Sequence, residues 1–188
     1  MLIENLTQAH RAFLEIEETV KTQPFMGLDC EWNPYGKSSP VALLQIATFN
    51  PKKECFQCYL FQLLKLKDNE MFRKRLRSLL NDRNSFKLGS DISNDSSRLV
   101  RDGFCDYKDS FVELKTVLMP LGYNRSGIRW LSENVIGRHR VETFRYRLYH
   151  IGYYMSNTGV FPIRPKAWLP IGLHICQRLP IRPHTLKF

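Results

Sequence analysis

Phe25-Met26-Gly27-Leu28-Asp29-Cys30-Glu31 is the stretch on which the reading of this chain turns. Apolar residues and a glycine lead into two acids separated by one residue, the pattern of a short buried strand. Strand side chains alternate between faces, so Asp29 and Glu31 project from the same one, with roughly 6–7 Å between their backbone positions. At an effective dielectric of ~20, two carboxylates about 7 Å apart repel by about 2 kcal/mol. A hard divalent cation such as Mg²⁺, which takes carboxylate oxygens, turns that repulsion into attraction. The alternative is a strand whose edge is acidic and nothing more. Asp-x-Glu alone does not choose between them.

The chain has 188 residues, 43% of them hydrophobic, which is enough for one domain with a real core and leaves room for an appendage. Its net charge of +10 suggests a polyanionic partner. That charge is unevenly spread. From Arg138 onward there are nine Lys or Arg and one acid, Glu142, so the last part carries +8 and the first 137 residues only +2. The five cysteines are irregularly spaced, and no basic-then-apolar leader opens the chain. An intracellular, reducing compartment is expected, cytoplasm or nucleus. No run approaches the ~20 apolar residues of a membrane span, so no membrane partner is expected. Cys55-x-x-Cys58 resembles half of a zinc site, but it lies in an apolar strand-like run and no second pair follows; core cysteines are expected there.

Around the acidic strand the pattern alternates. Thr7–Val20 reads as a helix capped by Thr7, with Ala9, Phe13, Ile16 and Val20 at helical spacing. Val41–Thr48 reads as a strand buried on both faces, and Cys55–Phe61 as a third strand. The connections are short, so an antiparallel meander follows. A helix over 69–80 places Met71, Phe72, Leu76, Leu79 and Leu80 inward, and Arg73, Lys74, Arg75 and Arg77 outward as a solvated or phosphate-contacting face. Phe86–Gly89 is a short strand, Ile92–Val100 a helix, and Phe111–Met119 and Ile128–Ile136 two more. Together these predict an α/β mixed sheet, an antiparallel meander followed by parallel strands, flanked by helices.

The second acidic group follows the strand ending at Gly89, which permits a sharp turn. Asp95 falls in the first turns of the next helix, and ligands in such sheets bind beyond strand ends. Asp91 reads as a helix cap.

Gly27-Leu-Asp-Cys-Glu-Trp32, then Val41–Thr48, then Leu88-Gly89-x5-Asp95-x3-Leu99 resembles the 3′–5′ exonuclease domain of the DEDD superfamily, the group of ribonuclease D, the Werner helicase exonuclease and Nibbler-like proteins. The likeness spans roughly residues 6–137. It implies a ribonuclease-H-like fold and two-metal hydrolysis of RNA or single-stranded DNA from the 3′ end to nucleoside 5′-monophosphates. Asp29, Glu31 and Asp95 match three of the family's four carboxylates and would hold Mg²⁺ or Mn²⁺. Leu44 and Gln45 would lie beside the 3′-terminal nucleotide, though plain core is the other reading of Leu44. The family's third motif, Tyr or His then Asp four residues on, has no counterpart, because no Asp follows Asp109. Tyr149, His150 and Tyr153 are the nearest matches, and Tyr153 has only Asn157 four residues on. A domain at 1–137 with a replaced or truncated C-terminal part, and a basic Pro-containing tail at 138–188, is therefore expected. Two functions stay open: an exonuclease, or a catalytically impaired nucleic-acid-binding or protein-interaction module derived from one.

Overall fold

The computed structural model describes residues 1–33, 35, 39–50 and 55–119. The helix expected over 128–136, the third-motif candidates and the 137/138 boundary all lie outside the described residues. The elements are β1 (Leu2–Ile3), α1 (Leu6–Thr22), β2 (Phe25–Trp32), β3 (Val41–Asn50), β4 (Cys55–Gln62), α2 (Leu63–Leu66), α3 (Glu70–Asn81), β5 (Phe86–Gly89), α4 (Ile92–Arg101), β6 (Phe111–Glu113) and α5 (Leu114–Leu118). The strands form one six-stranded sheet in the order β1-β4-β3-β2-β5-β6. β2, β3 and β4 make the expected antiparallel meander. β5 runs parallel to β2, and β6 parallel to β5.

Pairing across the sheet separates its faces. Leu28, Cys30, Leu44, Ile46, Tyr59 and Phe61 point into the main core, where α1 supplies Ala9, Ala12, Phe13 and Ile16, α3 supplies Phe72, Leu76, Leu79 and Leu80, and α4 supplies Ile92 and Leu99. Phe13, Phe61 and Phe72 meet there with ring centroids 5.3–6.1 Å apart. On the opposite face Leu88 and Val112 pack with Val117 of α5, and Leu43 packs with Leu60. Asp29 pairs with Gln45 and Glu31 with Leu43, so both acids belong to this second face.

Several details differ from the sequence reading. Asn5, not Thr7, caps α1, and its side chain accepts from Gln8 N. The segment from Phe111 starts as strand β6 and becomes helical only at Leu114, because three residues complete a parallel ladder with β5. β1 and α2 are too short to leave a periodic signal. Met71 is exposed, its position falling outside the stripe Phe72–Leu76–Leu79. Three of the four α3 cations are used within the protein. Arg73 lies over the Phe104 ring and donates to the Asp102 carbonyl, Arg75 holds Glu17 with both nitrogens, and Arg77 pairs with Asp106. Cys55 is exposed rather than core, and Cys58 packs beside Leu43 and Leu60. Burial pushes the Cys58 thiol up to about 11, away from the thiolate that zinc requires. Among the described residues, no helix is long and apolar enough to cross a membrane.

Candidate active site

Asp29 is wholly buried at the centre of the sheet, and its Oδ2 accepts a 2.8 Å hydrogen bond from Gln45 Nε2. The antiparallel register puts the two residues directly opposite each other, so the bond is a cross-strand pair made by the meander itself. Gln45 is buried too, and its amide is committed to orienting a carboxylate. Leu44, one residue earlier, points the other way into the main core and is fully buried. Of the two residues placed beside the nucleotide, one thus contacts Asp29 and the other packs the interior. Glu31 is half-buried, two residues further along β2. Immediately after it the β2–β3 register shifts at Trp32, a bulge of the kind that re-aims side chains at sheet rims.

Asp95 arrives from the other side of the parallel pair. β5 runs alongside β2 and ends at Gly89, beside Leu28. Gly89 is needed for room rather than for a turn: a Cβ there would lie 2.9 Å from the Leu28 carbonyl oxygen and 2.4 Å from Ile92 Cδ1. The turn is made by Asp91, in the left-handed region at φ 61°. Asp tolerates this conformation better than most residues. Asp91 occupies the N-cap position, as the sequence reading has it, but its side chain makes no capping hydrogen bond. Glu113, at the end of β6, supplies one instead: its Oε2 accepts from Ile92 N at 3.2 Å. A carboxylate at the positive end of a helix is favourable.

Within α4 the buried positions are Ile92, Asp95, Ser96 and Leu99, the i, i+3, i+4, i+7 stripe of an inward face. Asp95 is 1% exposed, an acid where the pattern calls for an apolar residue. Asp29 Oδ1, Glu31 Oε1 and Asp95 Oδ2 are each shut off from solvent. One ring contact joins the acid-bearing elements: the Arg98 guanidinium lies 3.9 Å from the centroid of the Trp32 ring.

No protein-family model matches the chain. Over 95 residues it is 36% identical to the bifunctional 3′–5′ exonuclease/ATP-dependent helicase WRN of Mus musculus, covering 49% of this chain and 6% of that protein. Over 80 residues it is 37% identical to the human exonuclease 3′–5′ domain-containing protein 2, covering 42% of this chain and 12% of that one. The chain therefore spans only a small part of these curated relatives. Among solved structures, Trypanosoma brucei RNase D in complex with GMP superposes with a TM-score of 0.64 at 18% identity, over 97% of this chain and 57% of the other. The EXD2 exonuclease domain soaked in Mn and Mg superposes with a TM-score of 0.54 at 20% identity, over 96% and 98%. Over those stretches the chain is thus similar to 3′–5′ exonucleases, and its fold is that of the RNase D and EXD2 exonuclease-domain structures.

The metal that the sequence resemblance implies can be tested against the donors present. Among the described residues, no three His, Cys, Asp or Glu side chains are gathered into a group that would itself hold a metal ion. Asp29 and Glu31 lie on β2, and Asp95 lies on α4, which packs against that strand; the three do not form a ready-made cage. Mg²⁺ in phosphate chemistry does not need one, since one or two carboxylates with water and substrate phosphates complete its shell. The donors are hard oxygens, buried, and in the case of Asp29 held in orientation by Gln45. On that chemistry they fit Mg²⁺ or Mn²⁺.

Sequence reasoning placed Gln45 at the site but not as the partner of Asp29, and it missed Glu113 on Ile92 N and the Trp32–Arg98 stack. Only the last left a trace in the sequence, as an aromatic one residue after Glu31 and a cation three residues after Asp95.

Proposed function

We propose that this chain is a metal-dependent 3′–5′ exonuclease that removes nucleoside 5′-monophosphates from the 3′ end of RNA or single-stranded DNA. The reading is carried by a buried carboxylate, Asp29, oriented by Gln45 on β2, with a second buried acid, Asp95, on the helix that packs against that strand. Ionised carboxylates are costly to bury unless a partner compensates them. Asp29, Glu31 and Asp95 would hold the divalent ions. When bound, these supply an activated water and stabilise the charge that develops on the leaving 3′ oxygen. The chain's own contribution is orientation and dryness. Gln45 fixes one Asp29 oxygen, Leu43 and Leu60 line the sheet face beside it, and the Glu113 cap holds the helix that bears Asp95. A reducing intracellular location, cytoplasm or nucleus, is part of the proposal, from the irregular spacing of the cysteines in the sequence.

The test is a 5′-labelled single-stranded RNA or DNA oligonucleotide with Mn²⁺. One-nucleotide laddering that disappears in Asp29→Ala supports the proposal. A second reading is favoured by one observation: no Asp follows Asp109, so the family's last carboxylate is missing. On that reading the domain retains the oligonucleotide without shortening it, and an unshortened but bound strand would decide for it.

A further inference from the structure

We propose that Arg98 is a positioning residue for the carboxylate site, and that its stack on Trp32 sets the separation between Asp95 on α4 and the Asp29–Glu31 pair on β2. The inference rests on the exonuclease reading above. It starts from what holds each part of α4. The start of the helix is located by Gly89 against Leu28 and by Glu113 on Ile92 N. Its inner face meets the core through Ile92 and Leu99, and apolar contact of that kind is non-directional. Neither feature fixes how far the body of the helix stands from β2.

The guanidinium–indole contact does fix it. Arg98 lies three residues beyond Asp95, on the same side of the helix and roughly 4.5 Å along its axis. Trp32 directly follows Glu31, at the bulge where β2 leaves its register with β3. A stack at 3.9 Å between these two residues is a rigid spacer anchored one residue from one acid and one turn from another. Planar stacking of this type has a defined geometry, unlike a salt link from a flexible ammonium.

The same end of α4 also grips the far side of the β2–β3 connection. Arg98 Nη1 and Arg101 Nη2 both donate to the Ser39 carbonyl, at 3.4 and 2.7 Å. Asp102 Oδ2 accepts from Val41 N at 2.7 Å, while its Oδ1 accepts from Arg101 Nε at 2.7 Å. The C-terminal half of α4 is thereby bonded to both ends of the connection, at Trp32 and at Ser39–Val41. Movement of the helix away from the acidic strand has to break all of these together.

The experiment uses the full 188-residue chain and Mn²⁺ alone as probe, with free Mn²⁺ followed by electron paramagnetic resonance and the thermal midpoint measured on the same samples. Asp29→Asn serves as the binding-deficient control. Arg98→Met should weaken Mn²⁺ binding at least ~10-fold, the scale on which lost supporting contacts act at metal sites. Trp32→Phe, which keeps a ring for the guanidinium, should stay within about threefold of the unsubstituted chain. Arg98→Lys keeps the charge and stem but not the flat stack, so it should behave like Arg98→Met and also covers the case in which the methionine variant does not fold. Mn²⁺ affinity unchanged in a folded Arg98→Met or Arg98→Lys chain would overturn this proposal while leaving the exonuclease reading intact. Failure of the unsubstituted chain to bind Mn²⁺ would overturn both.

Discussion

Gly89→Ala is the substitution whose consequence follows most directly from the geometry. The added methyl would sit 2.4 Å from Ile92 Cδ1, 3.1 Å from Ile92 Cβ and 2.9 Å from the Leu28 carbonyl oxygen. The Cδ1 contact can be relieved by turning the end of a flexible side chain. The carbonyl contact cannot, because Leu28 lies in the β2 backbone, paired with β3 on one side and flanked by β5 on the other. Either β5 separates from β2 or the whole start of α4 lifts. Overpacking of this kind costs about 1–3 kcal/mol. For a chain of this length each kcal/mol lowers the thermal midpoint by about 2–4 °C, so the expected fall is roughly 2–12 °C. Because α4 carries Asp95 and begins three residues after Gly89, the same displacement should weaken Mn²⁺ binding beyond any loss of stability. Urea unfolding followed by circular dichroism, with Mn²⁺ titration of the folded protein, measures both. An alanine variant as stable as the parent, with unchanged Mn²⁺ affinity, would show that β5 and β2 are not in the close contact from which the site is built.

Further outcomes are expected at four other residues. Lys87 is fully buried, with its ammonium donating to the Asp82 and Ser85 carbonyls and to the Ser85 and Ser110 hydroxyls, and burial lowers its pKa to about 8 despite the nearby Asp82 charge. Below pH ~8 both folded and unfolded chains hold the proton; between there and the ordinary 10.5 the unfolded chain holds more, so this residue's contribution makes stability rise with pH, by about 3 kcal/mol at most. Cys58 and Cys105, both raised to about 11, act in the opposite sense above pH ~9, so the effect is read as the difference between the parent and Lys87→Met in urea unfolding from pH 7 to 10; a difference flat with pH would refute it. For the metal, Mn²⁺ at a hundred times its Kd should stabilise the parent by about 2.7 kcal/mol in a thermal-shift assay and leave Asp29→Asn unmoved; an equal shift in both would place the ion elsewhere. Glu113→Ala should destabilise by about 1 kcal/mol through loss of the α4 cap, and Glu113→Gln, which retains an acceptor for Ile92 N, by less. Identical unfolding midpoints for Glu113→Ala and Glu113→Gln would remove the cap from the account. Gln45→Leu should leave the fold in place but deprive Asp29 of its amide, with a tenfold or greater loss of Mn²⁺ affinity by titration.

The acids themselves were legible because each breaks a local pattern. Asp29 and Glu31 interrupt an apolar strand at period two, and Asp95 occupies an inward position between Ile92 and Leu99 on an otherwise amphipathic helix. A charge at a position that burial would make expensive is visible in one dimension. The meander and parallel strands were equally legible, from short connections followed by helix–strand alternation. Elements of two or three residues were not: β1 and β6 exist only through ladders to distant partners, so propensity alone read Phe111–Glu113 as helix.

What tertiary structure alone decided is which groups serve those acids. Gln45 faces Asp29 because the antiparallel register pairs them, and a shift of one residue would have sent Leu44 there instead. Asp91 occupies the N-cap position in a left-handed turn without a side-chain capping bond, and the carboxylate that accepts from Ile92 N comes from Glu113, twenty-one residues beyond that donor. Arg98 belongs to a helix whose sequence marks it only as polar, and it meets Trp32 because two parallel strands end side by side. Local sequence sets each residue's charge, shape and face. Partners separated by sixteen, twenty-one or sixty-six positions are set by strand register and helix placement, which depend on the sum of contacts across the whole sheet.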